Sequence, residues 1–331
     1  MSESTNPGKK SALIIGFSVT EDKKGYIKHL TELANKKPEP FDIEIRAMGG
    51  ETMRLVPFIF DQIVTKKYDY IAFEIATSRR FFDDPERYMK LLSEIAYKCR
   101  QVGSTPAFIN LYRDDVDYVT DKMTVVIADF CRQYGYPLLN MVENFLDLKH
   151  SEDLWLYVRD GVHLTDMGSQ LVAGKVVDFL YDCLNKDMSW DRPTFVSAPA
   201  LVPGTPPKTF SRGDITLPIL EVRENETIKL VLPEPGYVMG LLFMIHPLGG
   251  EFLLEADTRK RPLRCFGYDR NAYYSRFSSL MFEPFFANEL TVTSLPGRPN
   301  IKLSKGDPNE EPRVNSIAGI FTNWRLTRIF T

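Results

Sequence analysis

Histidine and cysteine are scarce in this chain, at four residues each in 331. Cys99, Cys131, Cys183 and Cys265 make no C-x-x-C pair and no other metal-ligand spacing, so neither a zinc module nor a redox dithiol is expected. The first three fall in segments of helical periodicity and read as small buried apolar residues, which suits a reducing compartment. No run of about eighteen apolar residues is present, and with it goes the expectation of a membrane-spanning helix. The polar start MSESTNPGKK has no apolar core behind its charges and does not read as a secretory signal. A formal net charge of −3 gives no electrostatic reason to expect nucleic acid or an anionic membrane as partner. Internal repeats and low-complexity tracts are also missing. The short basic runs Arg79-Arg80 and Arg259-Lys260-Arg261 read as solvated surface. The expectation is a soluble, cytoplasmic protein of unspecified oligomeric state, long enough for two domains.

What is present divides at about Trp190. Before it, apolar runs alternate with amphipathic segments. Residues 11–16, 41–46, 68–75, 106–111 and 136–140 read as strands, and 24–36, 51–66, 84–102, 114–134 and a long segment capped by Thr165 read as helices. Strands alternating with helices through short loops predict a parallel sheet covered on both faces, a three-layer flavodoxin-like sandwich over residues 11–190. Residues 1–10 are expected to be disordered. Residues 191–212 carry five prolines without periodicity and read as a linker. Residues 213–331 show short β-like runs at 215–222, 227–232, 237–246, 251–256, 262–268, 277–283, 289–294 and 314–330. Turn signals such as Pro235-Gly236, Gly249-Gly250 and Pro296-Gly297 separate them, predicting a smaller all-β sandwich or jelly roll.

Two stretches carry chemistry. In SALIIGFSVTEDKKG the apolar run Ala12 to Ile15 breaks at Gly16-Phe17-Ser18, which puts Ser18 at the carboxyl end of the first strand, where ligands of open α/β sheets bind. A serine between a strand and a helix start lies near backbone N–H groups able to hold an oxyanion. The second stretch is Asp160-Gly161-Val162-His163, in a loop opening the last long helix. An Asp three residues before a His can fix the ring tautomer and leave the other nitrogen as a base. His29, His150 and His246 lack that setting and read as structural or solvent-exposed.

Together these stretches resemble the SGNH hydrolase family, also called GDSL esterases and lipases, over about residues 11–184. Gly16-Phe17-Ser18-Val19-Thr20 matches the family's G-D-S-like motif with Phe17 in place of the usual Asp, and Asp160-Gly161-Val162-His163 matches its D-x-x-H motif. Leu164-Thr165 and Gly168 resemble the family's continuation into its last helix. The resemblance implies a Ser18–His163–Asp160 triad. It also implies an oxyanion hole made by Ser18, by Gly49 or Gly50, and by the residue at the family's Asn position. Ser78 falls on that position, with Thr77 as the nearby option, and this is a departure from the family pattern. Removing one oxyanion donor costs on the order of 10²–10³ in rate. Arg79 is a candidate for an anionic part of the substrate. The implied chemistry is attack of Ser18 on an ester carbonyl, proton transfer to His163, and resolution of an acyl-enzyme by water or an acceptor hydroxyl, with no metal and no cofactor.

The family's habits and the appended β-region suggest O-acyl, above all O-acetyl, groups on a carbohydrate. Esterase and acyltransferase share the first half-reaction; a transferase would take an acyl donor such as acetyl-CoA. Tyr273 and Tyr274, in the polar and aromatic stretch 268–274, are candidates for stacking on a sugar. The alternative is a catalytically inactive SGNH-like glycan-binding or scaffold protein. A phosphate-binding turn at Gly16 is a poorer reading, because the repeated glycines and the lysine of such loops are missing.

Overall fold

The computed structural model describes residues 9–75, 84–185, 208–213, 215–306, 309–322 and 325–327. The chain forms two compact units, Met1–Thr194 and Phe195–Thr331.

In the first unit, β1 (Ser11–Gly16), β2 (Asp42–Ala47), β3 (Tyr70–Glu74), β4 (Thr105–Asn110) and β5 (Leu138–Asn140) form one sheet in the order β2-β1-β3-β4-β5. Every described pairing in it is parallel. This is a parallel, flavodoxin-like sheet, as the alternation of strands and helices predicts. Strand β1 shows why its sequence is continuously apolar: Ala12, Leu13, Ile14 and Ile15 are all fully buried, so both faces are covered. Ala12 and Ile14 share one core with Leu30 of α2 (Ile27–Asn35) and Val172, Val176 and Leu180 of α8 (Asp166–Leu184). On β4, Phe108 packs edge-on against Phe130 of α5 (Lys122–Tyr134), with ring centroids 5.8 Å apart. Burying such a ring contributes about 2–3 kcal/mol.

Several boundaries differ from expectation for local reasons. The helix expected over 114–134 begins only at Lys122, because the Asp121 side chain caps it, accepting from the N–H groups of Met123 and Thr124. Gly135 ends it in the left-handed region, φ 69°. The segment 51–66 divides into a 3-10 turn, Met53–Leu55, and α3 (Val56–Ile63), with Pro57 in the first turn of α3. Helix α4 (Pro85–Gln101) agrees with its periodicity. Two short helices had no sequence expectation, α6 (Val142–His150) and α7 (Leu154–Tyr157). A one-turn helix, α1 (Ser18–Glu21), follows β1 directly.

The second unit is all-β. Strands β6 (Lys208–Arg212), β7 (Ile215–Arg223), β8 (Thr227–Ile245), β9 (Glu251–Ala256), β10 (Leu263–Phe266), β11 (Arg276–Ser294) and β12 (Val314–Thr322) join in the order β10-β9-β11-β8-β12-β7-β6, and β13 (Arg325–Thr327) pairs with β12. Every described pairing is antiparallel. Strand β6 falls within the span expected as linker, whose residues 191–207 lie outside the described residues. The expected pair 227–232 and 237–246 is one strand, as is the pair 277–283 and 289–294. Val231 pairs with Glu289 and Gly236 with Ala287, so residues 232–235, with Pro233 and Pro235, stand opposite Asn288 alone. The prolines sit in a bulge, where no ladder donor is needed, and the strand continues past them. Val222, Leu230, Phe243, Phe252, Leu290 and Ile317 form the core of this unit.

All four cysteines are free and buried. Burial pushes the thiols of Cys131 and Cys265 up to about 12, so they stay protonated and inert.

Candidate active site

In a parallel sheet all strands end on one edge. Here Gly16, Ala47, Glu74, Asn110 and Asn140 are the last residues of their strands and mark it. Gly16 lies opposite Ala47 in the register of β1 and β2. Ser18 and Gly49 each stand two residues beyond that pair. The backbone turns out of β1 at Phe17, φ −124° and ψ −137°, and Ser18 is the first residue of α1. The ring of Phe17 is buried, 2% exposed, which explains an apolar residue where the resembled motif has Asp. Helix starts leave their first N–H groups without an intrahelical partner, and at α1 these are the N–H groups next to the Ser18 side chain.

The loop from Val158 to Leu164 is closed by a bridge between those two residues. His163 donates its backbone N–H to Asp160 Oδ1 at 2.7 Å, and its Nδ1 lies 2.9 Å from Asp160 Oδ2 and 3.1 Å from Oδ1. The carboxylate therefore grips both the ring and the main chain of the same histidine. It orients the imidazole and leaves Nε2 for another proton. Burial raises the Asp160 pKa. The His163 N–H, the His163 charge and ring and the Val162 N–H outweigh it and hold the carboxyl below its ordinary range. Gly161 turns the loop at φ 80°, and its carbonyl accepts the Asp114 N–H at 2.8 Å.

Contacts tie this loop to the segment after β1. Arg159 pairs with Asp22 at 2.6 Å, Lys28 pairs with Asp166, and the Ser169 hydroxyl reaches the Lys24 carbonyl at 3.4 Å. The Thr165 side chain caps α8 at the Gly168 N–H and donates to the Leu156 carbonyl. Thus the loop that carries the His163–Asp160 pair is tied to the segment that follows Ser18. Among the described residues no hydrogen bond joins Ser18 to His163; unliganded sites often tighten such contacts only when substrate binds.

Gly49 is packed closely: a Cβ there would stand 1.9 Å from Glu21 Oε2. Gly50 has φ 87°, a conformation that favours glycine. Thr77, Ser78 and Arg79 lie outside the described residues. In the second unit the rings of Tyr273 and Tyr274 are 5.0 Å apart. The Arg212 and Arg276 guanidinium groups lie 5.1 and 5.2 Å from the centre of the Tyr274 ring, so that ring is engaged by its own domain. Tyr273 is 38% exposed, with the Lys305 ammonium 5.9 Å from its ring centre.

The sequence reading missed three polar residues at the sheet edge. Asn110, 1% exposed, donates through Nδ2 to Asn140 Oδ1 at 2.9 Å, while its own Oδ1 is buried with no partner among the described residues. Glu74, at the end of β3, is fully buried. A polar residue closing an apolar strand was the signal available for Asn110 and Glu74. Among the described residues no group of His, Cys, Asp and Glu side chains is arranged to hold a metal ion, and no helix is long and apolar enough to cross a membrane.

No protein-family model matches the chain, and no curated protein matches its sequence. Among solved structures, the chain is similar to a two-domain esterase active on acetylated mannans, crystallised with mannopentaose. The identity is 12%, the match covers 94% of this chain and 90% of that one, and the TM-score is 0.62. The same esterase without the sugar gives 12% identity, the same coverage and a TM-score of 0.61. An acetylxylan esterase from Geobacillus stearothermophilus matches 54% of this chain and 95% of its own, at 13% identity and a TM-score of 0.44. At these identities the likeness is one of fold: the chain shares the two-domain architecture of the mannan esterase, here a parallel α/β unit followed in the sequence by an all-β unit.

Proposed function

We propose that this protein is a serine-dependent esterase that removes O-acetyl groups from a carbohydrate. The observation that supports the reading is the double hold of Asp160 on His163, in a loop tied by Arg159–Asp22 to the segment after Ser18. In this reading Ser18 Oγ attacks the acetyl carbonyl carbon and His163 Nε2 takes its proton. The N–H groups of Ser18 and of Gly49 or Gly50 hold the oxyanion. The tetrahedral adduct collapses, the sugar hydroxylate leaves with the proton from His163, and acetyl-Ser18 remains. Water, activated by the same histidine, releases acetate. Ser78 supplies the remaining oxyanion donor in this scheme, and Tyr273 is the candidate for sugar contact in the all-β unit.

The preference for an acetylated polysaccharide is supported by likeness to a two-domain esterase described as active on acetylated mannans. Acetate release from acetylated mannan, acetylated xylan and 4-nitrophenyl acetate tests the proposal, with wild type set beside Ser18→Ala. The expected result is release by the wild type, with a polysaccharide preferred in kcat/KM over the aryl ester, and none by Ser18→Ala. Equal release by both proteins would exclude Ser18. Acetyl transfer to an added sugar in place of free acetate would assign the second half-reaction to an acceptor hydroxyl.

A further inference from the structure

A one-turn helix does not hold its own direction, because nucleation of a helix is unfavourable and α1 has no side-chain cap at Phe17. Something else must fix Ser18. The two residues after it point inward, with Val19 1% and Thr20 0% exposed. Thr20 folds back over the end of β1, and a Cβ on Gly16 would stand 2.0 Å from Thr20 Oγ1. The Thr20 hydroxyl lies 2.9 Å from Tyr26 Oη and donates to Glu74 Oε2 at 3.4 Å. Glu74 is level with Gly16 in the sheet, since Ile15 pairs with Phe73.

A hydroxyl carries one proton. Thr20 donates that proton to Glu74 Oε2, so Tyr26 donates to Thr20. Tyr26 keeps its proton, because burial and then the Glu74 charge push its pKa up. The order of donors is thereby fixed from Tyr26 through Thr20 to Glu74. The rest of β3, Tyr70 to Phe73, is buried and apolar or aromatic. An apolar residue at position 74 would avoid the desolvation of a carboxylate. Its presence within hydrogen-bond reach of Thr20, two residues after Ser18, calls for a role that needs a polar side chain.

We propose that Glu74 and Thr20 are positioning residues that aim Ser18, with Tyr26 completing the buried chain. This rests on the reading of Ser18 as nucleophile. Tyr26, Thr20 and Glu74 are all fully buried; they fix the turn from which the nucleophile projects, and small misplacements of a reacting group can cost on the order of a hundredfold in rate.

The test uses the whole 331-residue chain with Thr20→Val, which keeps the shape and removes the hydroxyl, Thr20→Ser, which restores it, and Glu74→Gln, which replaces the carboxyl group by an amide. Each is assayed for thermal midpoint, for kcat and KM with 4-nitrophenyl acetate, and for the rate of Ser18 labelling by a fluorophosphonate. The expected result for Thr20→Val is a KM within about twofold of wild type, with kcat and labelling rate both lower by about tenfold or more. Thr20→Ser should recover most of both. Should Thr20→Val not fold, Glu74→Gln decides by the same split. Folded Thr20→Val or Glu74→Gln that labels like wild type overturns the inference alone. A folded wild type that is not labelled at Ser18 overturns the nucleophile reading and this inference with it.

Discussion

The carboxylate of Asp160 serves one histidine twice, at the ring and at the main chain. Its pKa is raised by burial and lowered more by those bonds and by the His163 charge. A depressed carboxylate pKa contributes stability above the unfolded value of about 3.9 and loses it as pH falls through the folded value. Asp160 is therefore ionised wherever an esterase assay is practical, and the pH–rate profile above about pH 5 should show no limb from it. Asp160→Asn should leave the fold intact and lower kcat by about 10²–10⁴, measured with 4-nitrophenyl acetate. Gly16→Ala should destabilise by about 1–3 kcal/mol in a denaturant melt, because the new methyl meets Thr20. Gly16→Ala combined with Thr20→Ala should cost less than the sum. The Asp160–His163 contact was legible in the sequence because the two residues lie three apart in one short pattern, and Ser18 was marked by the break after the apolar run of β1. The Thr20–Glu74 contact spans 54 positions, and a Glu closing an apolar run looks like an ordinary strand end.

Elements that follow from local chemistry could be read in advance. The apolar run of β1, the Thr165 cap of α8 and the Gly135 stop of α5 each had a sequence signal. The start of α5 did not show through periodicity, because residues 114–121 hold several acidic residues at which a cap can form. Asp121→Ala should lower stability by about 1 kcal/mol by freeing two N–H groups of that helix, as read by chemical denaturation. In the second unit Pro233 and Pro235 were misleading. Proline does end strands in most settings, but here residues 232–235 face only Asn288 and owe no ladder bonds.

At the scale of the whole molecule, each unit has its own core and its own polar exceptions. In the all-β unit, Arg313 is 2% exposed and its guanidinium donates to the carbonyls of Pro247, Asn309 and Glu311. His246 is 9% exposed and its Nε2 has no partner among the described residues. Burial pushes its pKa down; the Glu221 charge and a bond to the Val314 backbone oppose this, and the Arg313 charge adds to it. A histidine whose folded pKa is lowered contributes its stability above the unfolded value of about 6.5, and that stability is lost as pH falls through the folded value. Thermal midpoints should therefore fall between pH 7.5 and pH 5, and His246→Gln should flatten that part of the curve. The two-unit division was legible from the change in composition near Trp190. The pairing order of the β strands was not, since it depends on contacts between segments far apart in the chain.

The most direct test is mass spectrometry of the protein quenched in acid during turnover of an acetyl ester. The account predicts an adduct of one acetyl group on the peptide carrying Ser18, present in wild type, absent from Ser18→Ala, and accumulating in His163→Ala only to traces because attack itself is slowed. An acetyl group on any other residue, or turnover that persists in Ser18→Ala, would contradict it.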